Sequence, residues 1–407
     1  PAGGLRFSVI APIFTRACMA ALGLLLSAAA ASATCSTDAN CSLNGVCTSG
    51  VCKCDAPWRG ATCAQLEFLP AHTLGAYGRT PNVSSWGASL LGPAQLSLSS
   101  GAAKPGGAAY HLFAAQMKTG GLIGWGSQSQ CVHAVASSAA GPFTLDAVLV
   151  GTECHGPVAL PDRARNRLLL FHQGAGAPPG NTSAQSSFMH SAPLDAPFTS
   201  GAWLAAPSSR SPSFSCGMPT AAFHPNGTLF MVCGNGNILV SAPSSDALSE
   251  EWRKISSPSW ASGPGSHGWE DPTLWFDRRG NWHVIFHVYS LTPYAAHHEL
   301  YSGHAFSQDG ILWRWSTEPQ FGAPFNGTQT FVAAPTTTYA TRERPQMVFA
   351  SEKRTTPVGM TSSVSSQPVS PACNTCHEGA CSQCKITPGR DWTYTIYGPL
   401  RTASSTS

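Results

Sequence analysis

Two adjacent acids, Glu270 and Asp271, stand directly before Pro272 in residues 265–289, GSHGWEDPTLWFDRRGNWHVIFHVY. Paired carboxylates are groups that general acid and base catalysis uses. A proline lacks the backbone N–H and pushes the residue before it towards an extended conformation, so a strand is predicted to begin here. A polar turn at 277–281 and a run of β-branched and aromatic residues then predict a second strand. The stretch therefore predicts a hairpin with two carboxylates at its open end.

The layout of this hairpin recurs along the chain. Four segments combine a polar or small pair, a proline, a strand, a turn and a second strand, and they begin with CHGP at 154–157, CGMP at 216–219, WEDP at 269–272 and RERP at 342–345. The units are roughly sixty residues long, and residues 86–143 read as a more divergent first copy. Repeats of this kind predict an all-β fold, a β-propeller with five blades.

The innermost strands of a propeller line a central channel, and their starts lie together at one end of it. The aligned positions before each strand are therefore predicted to converge in space: Trp86, His155, Met218, Glu270, Asp271, Glu343 and Arg344. For any one of them, a solvated turn is the simpler interpretation. The alignment of three acids with a common end of the channel favours a functional site.

Composition narrows the function classes. Charged residues make up 11% of the 407 residues, and the formal net charge of +3 comes without a basic block. A nucleic-acid-binding surface needs clustered lysine and arginine, so this class is not expected. Abundant glycine and proline without helical periodicity indicate many short strands. The length suits one large all-β domain and a small module.

The first residues have the pattern of a secretory signal. Arg16 precedes an apolar run at 17–30, and ASA at 31–33 has the small–x–small form of a cleavage site. The alternative is a membrane anchor, but the run is short for a membrane span. We predict a signal peptide at 1–33, a secreted, extracellular protein and no membrane span after cleavage.

Cysteines and glycosylation sequons agree with export. Of 15 cysteines, Cys18 lies in the predicted signal, which leaves 15 − 1 = 14. Acceptor sequons for N-glycosylation begin at Asn82, Asn181, Asn226 and Asn326. Several sequons beside a signal and paired cysteines predict an extracellular glycoprotein.

Six cysteines at 34–65 follow the spacing C-x5-C-x5-C-x4-C-x-C-x8-C. So short a segment has little apolar core, so disulfides must stabilise it, and six cysteines allow many pairings. The spacing, with Asn44-Gly45 before the third cysteine and Gly60 in the last loop, resembles an EGF-like domain. The resemblance implies the pairs Cys35–Cys47, Cys41–Cys52 and Cys54–Cys63. Such a module serves as a cap and spacer, or it binds a protein partner.

The remaining cysteines fall into two sets. Cys131 with Cys154, and Cys216 with Cys233, are predicted to form local disulfides between neighbouring strands. The last four, at positions 373, 376, 381 and 384, form two CxxC pairs that suit zinc. Secretion and the very short middle spacing favour disulfides, so no metal is predicted. Residues 391–400 read as a closing strand and 401–407 as a disordered tail.

Three segments carry a further resemblance. HGWEDPTLWFDRRGNWHVIFH, GHAFSQDGILW and RERPQMVF resemble secreted proteins with a five-bladed propeller related to glycoside hydrolase families 43 and 32. The resemblance covers most of residues 66–400. It implies hydrolysis of O-glycosidic bonds, in which one carboxylic acid protonates the leaving oxygen and a second carboxylate acts as base or nucleophile. It implies no cofactor.

Matching these roles to the motifs makes Glu343 the predicted proton donor, Asp271 the acid before proline and Glu270 the partner carboxylate. The residues predicted to bind the substrate are Trp86, His155, His267, Trp269, Arg342 and Arg344. Two arginines beside Glu343 would favour its ionised form, which does not suit a general acid. The SWGAS segment of the first blade also lacks the acid that the hydrolases have, and so does the second blade.

Two functions therefore follow from the sequence. The first is a glycosidase acting on a cell-wall or extracellular-matrix glycan. The second is a non-catalytic carbohydrate-binding or adhesion protein on a hydrolase scaffold. Recurring histidines allow a metal site as a rival, although imidazoles hydrogen-bonded within the sheets are the simpler interpretation. They are His133, His155, His172, His267, His287 and His304.

Overall fold

The structure of the protein is a computed structural model. It describes residues 35–79, 83–96, 110–118, 122, 125–151, 153–174, 186–199, 203–205, 216–234, 238–241, 252–257, 267–290, 301–316, 323–339, 341–365 and 393–403. The predicted signal, Asn82, Asn181 and the four cysteines of the 373–384 segment lie outside these ranges. Within them, no helix has the length and apolarity that a membrane crossing requires.

The cysteine-rich module consists of two small hairpins. They pair β1 (Gly45–Thr48) with β2 (Val51–Cys54), and β3 (Trp58–Arg59) with β4 (Gln65–Leu66), after a 3₁₀ helix at Asp38–Cys41. The three disulfides are those implied by the EGF-like resemblance, Cys35–Cys47, Cys41–Cys52 and Cys54–Cys63. The bonds replace the apolar core that the module is too short to build.

The rest of the described chain is dominated by antiparallel sheets in which consecutive strands are neighbours. The first sheet contains β5 (Ser84–Leu91), β6 (Tyr110–Met117), β7 (Ser129–Ala136) and β8 (Thr144–Val150). The second contains β9 (His155–Asp162), β10 (Arg167–Gly174), β11 (Ser186–Pro193) and β12 (Leu204–Ala205). The third contains β13 (Thr220–Phe223), β14 (Leu229–Val232), β15 (Ile238–Ser241) and β16 (Arg253–Ser256).

The fourth sheet contains β17 (His267–Phe276), β18 (Trp282–Ser290), β19 (Tyr301–Ser307) and β20 (Trp313–Ser316). After a small hairpin of β21 (Thr328–Gln329) and β22 (Thr337–Thr338), the fifth contains β23 (Thr341–Phe349), β24 (Pro357–Ser365) and β25 (Thr393–Pro399). Short helices α1 (Pro93–Leu96) and α2 (Trp125–Gln128), and a 3₁₀ turn at Arg163–Arg165, lie in the connections. The predicted all-β class is confirmed.

The first strands of these sheets form a closed ring. Strand β5 lies beside β9, β9 beside β13, β13 beside β17, β17 beside β23, and β23 beside β5 again. The apolar core lies between neighbouring sheets: Phe113 of the first packs with Leu168 of the second, and Val232 of the third with Val284 of the fourth. The starts of the five first strands therefore share one end of the ring.

Each sheet contributes a residue with positive φ at this end of the ring. These residues are Gly87 (91°), Gly156 (58°), Met218 (49°), Asp271 (58°) and Arg344 (52°). In the fourth sheet the pairing shifts between positions 270 and 273, as a β-bulge does. Strand β17 thus starts at 267, earlier than predicted, because the bulge absorbs the proline that seemed to mark a strand start.

The chain segment after the EGF-like module adds to the outer edge of the fifth sheet. Glu67 and Leu69 exchange backbone hydrogen bonds with the region of Arg401 and Pro399, and Tyr77 pairs with Thr395 of β25. This segment runs along the edge of the last sheet and joins the beginning of the chain to its end. Arg401 also forms an ion pair with Glu67 at 2.8 Å, so the chain is ordered at the first position of the predicted disordered tail.

The EGF-like module packs on the fourth sheet. The indole of Trp58 stacks on His304 (ring centroids 5.2 Å apart) and on Trp275 (6.4 Å). Arg279 donates to the backbone oxygen of Leu43 and pairs with Asp55 at 2.7 Å. Residues of the EGF-like module and of the neighbouring sheets thus share one apolar cluster, and the EGF-like module covers this part of the fourth sheet.

The two predicted local disulfides are present, and both end beside the ring. Cys131 of β7 joins Cys154, the residue before β9, and Cys216 joins Cys233. The first bond connects neighbouring sheets, since β7 and β9 belong to different ones. Each bond ends two residues before a residue with positive φ, Gly156 or Met218, and so braces the start of a first strand.

Candidate functional site

Three carboxylates and an imidazole meet where the first strands begin. One ligand atom from each of Glu270, Asp271, His287 and Glu343 lies within 4.8 Å of the others. The acids come from β17 and β23, which are neighbours in the ring. We refer to these four residues as the carboxylate cluster. The predicted convergence of residues 270, 271 and 343 is thus what the structure contains.

The bulges position the acids. Glu270 and Glu343 each precede the residue with positive φ in their strands, and Asp271 and Arg344 are those residues. The left-handed backbone turns two successive side chains towards the end of the ring instead of alternating them across the sheet. Residue types with a β carbon are strained in this conformation, and such strain is concentrated at functional sites.

Arg344 reaches across the ring to the cluster. Its Nη1 lies 2.9 Å from Oδ1 of Asp271, and both side chains are largely buried. On the way it passes two glycines: a Cβ would lie 2.8 Å from its Cδ at Gly87 and 2.7 Å from its Nη1 at Gly156. The first and second sheets therefore have no side chain at their bulge positions because the guanidinium of Arg344 occupies that space.

Glu343 and Glu270 have pKa shifts of opposite sign. Burial raises the pKa of the Glu343 carboxyl, and the lowering effects of His287 and Arg344 do not offset it. Burial also acts on Glu270, but the hydrogen bond and charge of His287 hold the pKa of Glu270 below its usual value. One carboxyl thus retains its proton to higher pH while the other is ionised. Two carboxyls with separated pKa values are what an acid and its partner carboxylate require.

His287, which the sequence analysis considered only as one of several possible metal ligands, completes the cluster. It lies opposite Glu270 in the register of β17 and β18, with its Nδ1 3.6 Å from Oε1 of Glu270. Burial alone would lower its pKa, but Glu343, Glu270 and Asp271 raise the pKa of His287 to about 9. Counting the register back from the turn at 277–281 would have placed it there. His287 is therefore a cation at neutral pH.

Asp271 has the least solvent contact of the three acids. Burial raises its pKa to about 7, against the opposing effect of the Arg344 ion pair, and Glu270 and Glu343 add to the rise. The side chain is 2% exposed. It is thus placed to orient its neighbours and Arg344, while Glu270, whose side chain is 29% exposed, faces solvent.

The charge of His287 predicts a loss of stability at alkaline pH. A histidine with a raised folded-state pKa stabilises the fold below its unfolded pKa of about 6.5, and this stabilisation is lost as pH rises through about 9. The pKa of Asp271 is raised to about 7, so the window from about pH 7.5 to 9.5 lies above it and contains the titration of His287. The free energy of unfolding should fall there by on the order of 2 kcal/mol.

Urea unfolding at several pH values measures this slope. His287→Gln should remove most of it, whereas His72→Gln, a change at an exposed histidine, should leave it intact. An unchanged slope in the His287→Gln protein would show that His287 is neutral in the fold.

Aromatic residues border the cluster on the side of the first and second sheets. The indole N–H of Trp86 donates to Glu343. His155 lies against Trp125, with ring centroids 5.2 Å apart. Burial, together with the charge of Arg344, holds the pKa of His155 well below its usual value. Trp86 and the neutral His155 therefore lie beside the carboxylate cluster.

Other predicted binding residues lie elsewhere. Arg342 points away from Glu343: its guanidinium stacks on Phe68 and Phe325 and donates to the backbone oxygens of Asn326 and Thr328. Glu343 therefore has only Arg344 beside it, and not the two arginines that were expected.

Trp269 and His267 also differ from the expectation. Trp269 is 7% exposed and packs against Phe286 in the core between the third and fourth sheets. His267 begins β17, but its side chain lies outside the described part of the structure. The alternation of β17 turns Trp269 into the core, whereas Glu270 faces the site.

The oxygen and nitrogen donors of the cluster are close enough to reach a single cation. Hard divalent cations take oxygen ligands from carboxylates. Here Arg344 already supplies a positive charge to Asp271, and His287 supplies one to Glu270. The charge of the acids is therefore balanced by the protein itself, and we assign no metal role to these residues.

Comparisons with known proteins give two results for this chain. Residues 37–66 match the family model of the teneurin-like EGF domain, which confirms the predicted EGF-like module. No curated protein matches the chain.

Solved structures similar to this one include glycoside hydrolases of families 117 and 43. A family 117 enzyme of the marine bacterium Zobellia galactanivorans shares 12% identity over 82% of this chain and 89% of its own, with a TM-score of 0.47. An exo-β-1,3-galactanase of Phanerochaete chrysosporium shares 9% identity over 83% and 65%, with a TM-score of 0.45. A family 43 enzyme of Xanthomonas citri shares 9% over 82% and 92%, with a TM-score of 0.45.

Proposed function

We propose that this protein is a glycoside hydrolase that acts on a cell-wall or extracellular-matrix glycan. The observation that carries the proposal is the pair Glu343 and Glu270, which face each other within 4.8 Å and have pKa shifts of opposite sign. Glu343 acts as the general acid, because burial raises the pKa of its carboxyl. Glu270 is the ionised partner, and Asp271 with Arg344 orients the site.

The short separation favours direct attack by Glu270. Hydrolases that place a water between their two carboxyls keep them about 6.5–9.5 Å apart, whereas those that use a carboxylate nucleophile keep them about 5–5.5 Å apart. In the first step, the proton of Glu343 passes to the glycosidic oxygen as the C–O bond breaks, and Glu270 bonds to the anomeric carbon. In the second, water displaces Glu270 and returns a proton to Glu343.

The scaffold proposed for this chemistry is a five-bladed propeller at residues 66–400. The closed ring of first strands and the core between neighbouring sheets support it. An EGF-like domain at 34–65 precedes it, after a signal at 1–33, and a tail follows at 401–407. We infer a secreted, extracellular protein, since five disulfides persist in an oxidising compartment. The carbohydrate is its main partner, and the EGF-like domain is the place for a protein partner.

N-glycosylation is part of the same proposal. Asn226 and Asn326 lie in exposed turns, where each side-chain oxygen accepts a hydrogen bond from the backbone N–H two residues on. Both asparagines are therefore accessible to modification, and we propose Asn82 and Asn181 as further acceptor sites.

Reducing-sugar release from a panel of polysaccharides tests the function. The mature wild-type protein should release sugar from at least one neutral or acidic cell-wall polysaccharide, with retention of anomeric configuration measured by NMR. Inversion would exclude Glu270 as nucleophile but leave hydrolysis standing. No release from any polymer, with binding detected in affinity electrophoresis, would overturn the hydrolase assignment.

The second candidate function is carbohydrate binding without catalysis. It is favoured by the first and second sheets, in which Trp86 and His155 stand where Glu270 and Glu343 stand in the fourth and fifth. A site to which two sheets contribute a glutamate and two others contribute an indole or an imidazole can bind a sugar through stacking and hydrogen bonds. This function requires binding that survives replacement of Glu343.

A further inference from the structure

A small cavity lies at the end of the ring opposite the carboxylate cluster. Its volume is about 60 Å³, and its walls include Leu160, Phe223 and Phe276 from the last residues of β9, β13 and β17. Six residues of strand separate Glu270 from Phe276, which corresponds to about 20 Å. This cavity is therefore distinct from the site described above.

The charged residues of the cavity are mostly cationic. Arg163, Lys353 and Arg354 line it together with a single acid, Glu352. Glu352 lies 3.5 Å from Arg163, so its charge is already shared. Gln95 also lines the cavity, but its amide is used, since it donates to the oxygen of Phe349 and accepts from the N–H of Gly92. The cavity thus carries an excess of positive charge.

Arg354 has no counter-ion in the described part of the structure. Its guanidinium lies over the ring of Phe349, 5.0 Å from the centroid, and its Nη1 is closed to solvent and without a hydrogen-bond partner. A guanidinium nitrogen that is closed to solvent and has no hydrogen-bond partner is unfavourable. Burial accordingly lowers the pKa of Arg354 to about 10. An anion is the group that would offset this cost.

We propose that this cavity binds a small oxyanion of the size and charge of sulfate, held by Arg354, Lys353 and Arg163. Charge-assisted hydrogen bonds to oxyanions are stronger than neutral ones, and the guanidinium fork suits them. The cavity is small, about 60 Å³, so we assign it the oxyanion group alone. The oxyanion is therefore either a free ion or a sulfate ester whose polymer stays outside.

Titration of the full-length mature protein with sodium sulfate tests the proposal. Ionic strength is held constant with sodium chloride, and binding is followed by calorimetry and by the midpoint of thermal unfolding. Wild type should show a saturable upward shift of the midpoint. Arg354→Met, which keeps the packing on Phe349, should bind sulfate at least tenfold more weakly, since it removes charge-assisted hydrogen bonds. Lys254→Met, a change at an exposed lysine of β16, should bind like wild type.

One more variant and one more ligand complete the test. Lys353→Met alters an exposed side chain, so it reports on the cavity even where Arg354→Met fails to fold, and it should weaken binding severalfold. Dextran sulfate, with dextran as its control, separates a glycan-borne ester from a free ion. The proposal is overturned when sulfate gives no saturable effect at constant ionic strength, or the same effect in Lys353→Met and in wild type.

Discussion

Replacing Glu343 with glutamine is expected to lower turnover on the cognate glycan by about a thousandfold, the usual contribution of a general acid. Glutamine has nearly the same volume as glutamate and still accepts the hydrogen bond from Trp86, so the fold should be retained. What is lost is the proton that burial holds on Glu343. Binding of the glycan should change little, because the aromatic border of the site is untouched.

The matched control is Glu67→Gln, a change in a partly exposed ion pair far along the chain from the cluster. It should leave turnover at the wild-type level, since exposed pairs contribute little to stability. The pH profile gives a second readout. The alkaline limb reports loss of the Glu343 proton and should disappear in the glutamine variant, while the acid limb, set by Glu270, should persist.

A wild-type turnover in Glu343→Gln would remove Glu343 from the chemistry, whereas no turnover in either protein, with glycan binding retained in both, would favour the carbohydrate-binding function. A loss of both turnover and glycan binding would instead point to a structural role for Glu343. The two functions therefore give different results in the same pair of assays.

The fold follows from features that are visible in the sequence because they are local. The turn at 277–281 and the alternation around it define β17 and β18, and the cysteine spacing defines the EGF-like module. The β-bulges could not be predicted from local sequence features in the same way. A proline after Asp271 reads as a strand start, and only the shifted pairing shows that β17 continues through it. Predicting this requires the partner strand, which sequence periodicity does not specify.

The site was partly predictable for the same reason. Aligned positions identified Glu270, Asp271 and Glu343, because repeats place equivalent residues at equivalent ends of strands. The directions of Arg342 and Arg344 were not predictable, because residues two apart on a regular strand share a face and here the β-bulge between Glu343 and Gln346 breaks the alternation. Arg342 thus packs between Phe68 and Phe325, whereas Arg344 enters the ring. The glycines that make room for it stand at two aligned positions, and this pattern is a signal that sequence analysis can use.

The ring separates charge along its axis. The carboxylate cluster stands at one end, and the cationic cavity of Arg354 stands at the other. Strand β17 contributes residues to both ends, Glu270 and Asp271 to one and Trp275 and Phe276 to the other, so its length fixes their separation. The carboxyls at one end suit proton transfer to a glycan, and the excess of arginine and lysine at the other suits an oxyanion. A sulfated glycan would bring both kinds of group to one protein.

Replacing Trp58 with alanine is expected to lower the free energy of unfolding of the intact protein by about 3–5 kcal/mol, as for other buried tryptophans. Trp58 is 7% exposed and stacks on Trp275 and His304 of the fourth sheet. His304 in turn lies 3.0 Å from His283 and 3.5 Å from the amide of Asn44. Removing the indole opens this stack to water and exposes buried imidazoles whose pKa burial holds down.

The control is Arg59→Ala, which changes the exposed neighbour of Trp58 on β3 and should cost less than about 0.5 kcal/mol. Urea unfolding measures the free energies, and limited proteolysis measures attachment. In Trp58→Ala the chain should become cleavable between the EGF-like module and β5. The connecting segment is held by the EGF-like module on one side and by β25 on the other, and the substitution loosens the first of these. Wild-type stability and protease resistance in Trp58→Ala would mean that the EGF-like module is held by the Arg279 and Asp55 pair instead, and Arg279→Ala would then carry the loss.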